Sequence, residues 1–229
     1  MITMSSTLTR LGFLSFAVSL STGCSLSVDF GEGWNVGVVN GNGIPTSERR
    51  EVEPFEKIAV HGAIEIEMEN GDEPSLEVST DENLMPIIET KVRNGELSIR
   101  STQSYSGSVK VKAVVRSLTG YEGTGATKGV LANPNTEAFH VELSGASSLQ
   151  CGEGELQKLA VDASGVSKFS APRLSAIAVQ AEASGASSIQ VLAVERLDAH
   201  ASGASTIEYG GSPKVSKSTS GASSVKKSD

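Results

Sequence analysis

Five near-identical tetrapeptides recur in the second half of the chain: Ser144-Gly145-Ala146-Ser147, Ser164-Gly165-Val166-Ser167, Ser184-Gly185-Ala186-Ser187, Ser202-Gly203-Ala204-Ser205 and Ser220-Gly221-Ala222-Ser223. Their steps are 20, 20, 18 and 18 residues. A unit of this length cannot bury an apolar face alone, so a fixed period predicts units that stack on their neighbours. Thr124-Gly125-Ala126-Thr127 stands 20 residues before the first copy and Ser106-Gly107-Ser108 a further 18, which carries the period back to about residue 106.

Aligned on the glycine, the units alternate with a period of two. Two residues after it stand Ser147, Ser167, Ser187, Ser205 and Ser223, and four after it Leu149, Phe169, Ile189, Ile207 and Val225. Six after it come Cys151, Ala171, Val191, Tyr209 and Lys227. Before it, Phe139, Leu159, Val179, Leu197 and Val215 occupy one apolar column, and Val141, Val161, Ala181 and Ala199 the next. Period two means strands with one buried face. Matching columns mean that strands of successive units lie side by side, about 4.8 Å apart. The fold expected is all-β: a right-handed parallel β-helix (β-solenoid) with 18–20-residue coils, because parallel crossovers are overwhelmingly right-handed. An antiparallel meander is the alternative, although hairpins demand no such identity of columns. The glycine is expected to turn the corner with a positive φ, and the serine two after it to point inward.

Composition fits thin layers of this kind. Only 4% of the 229 residues are aromatic, which leaves Val, Ile, Leu and Ala to build the core, and 24 glycines mark frequent turns. Ahead of the repeats, strand signals run over residues 57–60, 63–68, 75–80, 88–92, 96–100 and 109–115. Asn70-Gly71 and Asn94-Gly95 each separate two of these runs and are hairpin or tight-turn signals. A single helical turn is expected over residues 81–85, capped by Asp81 and stopped by Pro86.

The N-terminus differs in kind. Arg10 precedes a short apolar run over residues 11–20, and Leu20-Ser21-Thr22-Gly23-Cys24 resembles a bacterial lipobox, with Ser21 where Leu is usual. On this reading residues 1–23 are a lipoprotein signal peptide, Cys24 is lipidated, and Ser25 after it directs the protein to the outer membrane. An ordinary signal peptide or a buried helix is the alternative. Residues 24–47, rich in Gly, Asn and Ser, read as a flexible tether, leaving 48–229 as the folded domain.

Chemistry is sparse. The net charge of −8, with no clustered Lys and Arg, excludes a nucleic-acid partner. No zinc-protease, Cys-x-x-Cys, nucleophile-elbow or phosphate-loop motif occurs, the three histidines fall in different repeat columns, and no cofactor is expected. Cys151 reads as core filler. One outward column, Glu142, Asp162, Glu182 and His200, stacks like charges on successive coils. Its plain reading is a solvated acidic face and its sharper reading a calcium site. Lys214, Lys217, Lys226 and Lys227 gather on the last coil, where charges protect an open sheet edge or greet a partner.

The runs Val52-Glu53-Pro54-Phe55-Glu56-Lys57-Ile58-Ala59-Val60-His61-Gly62-Ala63 and Asp81-Glu82-Asn83-Leu84-Met85-Pro86 carry a resemblance, together with Asn94-Gly95-Glu96-Leu97, the Ser-Gly-Ala repeats and Gly211-Ser212-Pro213-Lys214-Val215. Over about residues 50–226 the chain resembles the auto-transporter adhesin head GIN domain family. That resemblance implies an exported bacterial β-helical domain without catalytic residues to carry over. The function expected is adhesion or protein contact by a non-enzymatic, lipid-anchored envelope protein, meeting an envelope or surface protein or a glycan, with oligomerisation open. A carbohydrate-active β-helix enzyme and an envelope scaffold or stress-related lipoprotein are the alternatives.

Overall fold

Nineteen strands and one 3₁₀ turn account for nearly all regular structure in the computed structural model, which describes residues 37–228. The first nine are β1 (Val39–Asn40), β2 (Pro45–Arg50), β3 (Lys57–Gly62), β4 (Ile64–Asn70), β5 (Ser75–Asp81), β6 (Ile88–Arg93), β7 (Glu96–Ser101), β8 (Tyr105–Ser106) and β9 (Val109–Val115). The repeat region adds β10 (Gly120–Gly125), β11 (Lys128–Leu131), β12 (Ala138–Gly145), β13 (Ser148–Cys151), β14 (Gly154–Ala163), β15 (Lys168–Ala183), β16 (Ser188–Ala201), β17 (Thr206–Gly210), β18 (Lys214–Thr219) and β19 (Ser224–Lys227). The expected signal peptide 1–23, Cys24 and the first part of the expected tether lie outside the described residues.

In the repeat region every pairing is parallel and follows the sequence period. One ladder runs β10, β12, β14, β15, β16, β18 and the other β11, β13, β15, β16, β17, β19. The change from a 20- to an 18-residue step is absorbed between Ser170 and Ala178, where the β15–β16 register shifts, so the corners stay aligned. The glycines of the five Ser-Gly repeats have the positive φ expected, from 73° at Gly185 to 76° at Gly145, and Gly125 of the weaker copy has 97°. A second constraint acts at the same place: a Cβ on Gly165 would lie 2.5 Å from the carbonyl oxygen of Gly145, the corner one coil earlier. Ser147, Ser167, Ser187 and Ser205 are buried behind the corners. Their hydroxyls donate to main-chain carbonyls, Ser187 to Ala163 at 3.0 Å and Ser205 to Ala183 at 3.0 Å, so a small polar side chain fits where an orphaned one would be costly.

Volume is traded between columns inside the stack. Tyr121 is 2% exposed, and its ring occupies the room that Gly123 and Gly129 leave on either side. Two coils on, Phe169 is buried with Ala163, Ala171 and Ala181 in the neighbouring inward columns. A core this thin holds an aromatic ring only where adjoining positions are small.

The sheet as a whole is mixed, which corrects the expectation of a purely parallel β-helix. β5 is antiparallel to β2 and β9, and β6 to β7. These strands close the N-terminal end of the stack. The spatial order also departs from the sequence order. β10 and β11 stack on β3 and β4, which in turn stack on β7 and β9, so the coil of residues 57–70 sits between those of 96–115 and 120–131. The period carried back to residue 106 therefore does not describe nearest neighbours: Gly125 aligns with Gly62 rather than with Gly107.

Three local expectations change as well. Asn94-Gly95 does make a two-residue hairpin, with φ of 52° and 75°, but β4 and β5 flanking Asn70-Gly71 pair with β9 instead of each other. The helical turn falls at Met85–Ile87, after Asp81 rather than upon it, without a side-chain cap. Pro86 sits inside its first turn, where a missing N–H is harmless. Ordered structure begins within the expected tether: β1 pairs with β8, and β2 with β5. Arg50 holds this segment down, its guanidinium donating to the Ile88 carbonyl at 2.7 Å.

Candidate functional site

Because side chains alternate across the ladder, outward positions of β10, β12, β14, β15, β16 and β18 form lanes, two of which lie side by side before the corners. The acidic lane is Glu122, Glu142, Asp162, Glu182, His200 and Ser218, each in register with the next. Beside it runs a hydroxyl lane, Thr124, Ser144, Ser164, Ser184, Ser202 and Ser220, on the residue just before each corner glycine. The two lanes line a groove of about 420 Å³. The expected column of Glu142, Asp162, Glu182 and His200 is thus brought together as read. Glu122 and Thr124 extend it by one coil, a member that the weaker Thr124-Gly125-Ala126-Thr127 copy could have disclosed.

Like charges about 4.8 Å apart repel, and the neighbouring outward column relieves this sideways. His140 Nε2 lies 2.8 Å from Glu142 Oε1 and 3.9 Å from Asp162 Oδ2. Gln180 donates to Glu182 at 3.1 Å, and Thr124 to Glu122 at 3.4 Å. Partial burial, then the Glu182 carboxylate, raises the Asp162 pKa, with Glu142 adding to the rise and His140 opposing it. Among the described residues no three His, Cys, Asp or Glu side chains converge as a bound metal ion would need. Carboxylates turned to partners on their own strands form a face rather than a cage.

The same face continues past the repeats. Through β3, β7 and β6, Glu122 aligns with Ala59, Ser98 and Lys91, and Thr124 with His61, Arg100 and Glu89. Nine strands therefore share one outward side, basic at the N-terminal end and acidic along its middle, its acidic lane interrupted at the buried Ala59. Its basic end was not foreseen, because no linear motif places residues 91–100 next to residue 59.

Cys151 is buried, and burial pushes its thiol up to about 12. A thiol so protonated is packing, not a nucleophile. On the last coil, Lys217 stands beside Ala199 and Lys227 beside Tyr209, so cations replace the apolar members of two inward columns. Lys226 lies 2.8 Å from Glu208.

This architecture, a mixed cap followed by parallel glycine-cornered coils, accompanies a family match over residues 54–213, to the model described as "Putative auto-transporter adhesin, head GIN domain". The chain belongs to that family. Solved structures share its fold. A "putative adhesin" from Bacteroides fragilis is 21% identical and superposes with a TM-score of 0.67 over 82% of this chain and 99% of its own. A second from Parabacteroides distasonis is 19% identical, TM-score 0.61, over 84% of this chain and 100% of its own. A "putative lipid binding protein", also from Parabacteroides distasonis, is 23% identical, TM-score 0.53, over 84% and 100%. No curated protein matches the chain.

Proposed function

We propose that this head GIN domain protein is an exported, lipid-anchored envelope protein of non-enzymatic role, whose right-handed β-solenoid presents its side for adhesion or protein contact. The observation that carries the reading is the nine-strand outward face, along which polar groups recur at one strand spacing except at the buried Ala59. A surface of this kind suits an extended partner with its own repeat, a surface protein or a glycan, better than a small substrate. The family description and the adhesin names of two fold relatives point the same way.

The anchor and the role are tested separately. Replacing Cys24 by Ala is expected to move the protein from the membrane fraction to the soluble one, and its retention in membranes sinks the anchor. Cells lacking the protein are expected to lose attachment to surfaces or to one another and to regain it on complementation. Undiminished attachment removes the adhesion reading in favour of an envelope scaffold, for which crosslinking in cells identifies the partner.

One observation favours a second reading, a carbohydrate-active enzyme: Asp162 has a raised pKa among carboxylates in a groove, as a general acid requires. Depolymerisation of a polysaccharide by the purified protein, abolished in Asp162→Asn, would establish it.

A further inference from the structure

The basic end of the outward face holds a cavity of about 1000 Å³ between β6, β7, the loop that follows β7, and β8. Lys91, Arg93 and Arg100 line it against a single lining carboxylate, Glu96. In a chain of net charge −8 such a local excess of cations is against the trend.

Its walls are held from behind. Thr102 N–H donates to the Ile87 carbonyl at 2.9 Å, Ser101 Oγ donates to the Gln103 carbonyl at 2.7 Å, and Tyr105 donates its hydroxyl to the Ala63 carbonyl at 2.8 Å. Glu89 takes two guanidinium N–H bonds from Arg100, at 2.9 and 3.2 Å, and so orients that fork. The bonds from Arg100, then those from Lys91, lower the Glu89 pKa, which marks a place that already favours a carboxylate.

Glu89 pairs with Lys91 at 3.4 Å and with Arg100 at 2.9 Å, but other groups facing the cavity are left without partners. No ion pair holds Arg93, and the side chains of Ser98, Gln103 and Ser104 make no hydrogen bond among the described residues. A planar guanidinium matches a carboxylate, whereas hydroxyl and amide groups on a fixed wall match a polyol. A bare oxyanion would use the first set and leave the second idle.

We propose that this cavity binds an acidic sugar, its carboxylate held by Arg93, the cation without an ion pair, and its ring hydroxyls by Ser98, Gln103 and Ser104. The inference deepens the adhesion reading and rests on it, since it states which end of the face grips a glycan and through which group.

The test is calorimetric titration of the full chain with a glucuronic acid-containing disaccharide, its carboxyl-reduced neutral counterpart, and inorganic sulfate. The acidic disaccharide is expected to bind at low salt, and the neutral one about tenfold or more weakly, the loss of one charge-assisted pair. Arg93→Gln, with a melting temperature shown to match the parent, is expected to lose affinity by a similar factor, while Glu182→Gln in the distant acidic lane retains it. Equal binding of the neutral sugar, an unchanged affinity in Arg93→Gln, or sulfate binding as tightly as the disaccharide each overturns the proposal. Disaccharide binding alongside undiminished attachment of cells lacking the protein upholds the site and fails only the adhesion reading.

Discussion

Gly185 stacks so closely on Gly165 that a Cβ at Gly185 would lie 2.6 Å from the Gly165 carbonyl oxygen. Its φ of 73° is itself unfavourable for other residues. The corner thus needs glycine twice, once for its dihedral and once for space. Gly185→Val is expected to destabilise the fold by well over about 1 kcal/mol, since strain and a backbone clash act together. Gly43 separates the two causes: its φ is 74°, yet nothing lies within 4 Å of its Cβ position. Gly43→Ala is expected to cost about 1 kcal/mol, the dihedral alone. Chemical denaturation of both variants checks the difference, and equal losses would remove the steric half of the argument.

Tyr121 and Gly129 are a coupled pair. A Cβ on Gly129 would meet the Tyr121 hydroxyl and Leu149 Cδ1, each at 2.8 Å. Gly129→Ala alone is expected to cost about 1–3 kcal/mol by overpacking. In a Tyr121→Val background, which copies Val141 of the next coil, that cost is expected to shrink to the part that Leu149 imposes. A double-mutant cycle reads the coupling directly, and strict additivity would mean that the two positions do not share volume. The Tyr121 and Thr127 hydroxyls adjoin inside the core without reaching a hydrogen-bonding geometry. Tyr121→Phe is accordingly expected to be neutral or mildly stabilising.

Burial raises the Cys151 thiol from 9.0 to about 12. The folded state therefore keeps its proton where the unfolded state loses it, and stability is expected to fall as pH rises from about 9 towards 12, with no contribution from this group below that window. Native protein is expected to resist thiol reagents at pH 8 and to react at once in denaturant. Rapid labelling of Cys151 in the folded Cys24→Ala protein at pH 8 would contradict the burial.

Among the described residues β18 and β19 have a strand on one side only, and Lys217 and Lys227 stand there in columns that are apolar in earlier coils. Polar residues on a terminal coil block edge-to-edge growth. Lys217→Ala with Lys227→Tyr, restoring the columns, is expected to promote self-association. Size-exclusion chromatography at several concentrations shows it, and an unchanged elution volume would assign the lysines another role.

The acidic face carries an expectation about metal. With Glu142 and Glu182 turned to partners on their own strands, millimolar calcium is expected to leave the melting temperature unchanged. A clear rise would restore the calcium reading of the Glu142, Asp162 and Glu182 column.

Much of the candidate site was legible one column at a time. Glu142, Asp162, Glu182 and His200 follow from a period of two along a strand and of 18–20 between strands, both local counts. Their lateral partners follow only in part: His140 is two residues from Glu142, but its reach to Asp162 crosses to the next coil. Arg93 and Arg100 escaped because their hairpin has no repeat signature, and its neighbour β3 is remote in sequence.

By itself the sequence determined which residues face inward, where the corners fall and why they are glycine and serine, because these depend on alternation within one coil and on identity between coils. The tertiary structure decided the rest: that residues 57–70 stack between 96–115 and 120–131, that antiparallel strands close one end, and that basic and acidic segments join in one face. Backbone hydrogen bonds are alike for every strand, so the choice of neighbour rests on how side-chain volumes such as Tyr121 with Gly123 and Gly129 fit across the stack, and that fit exists only once the coils have met.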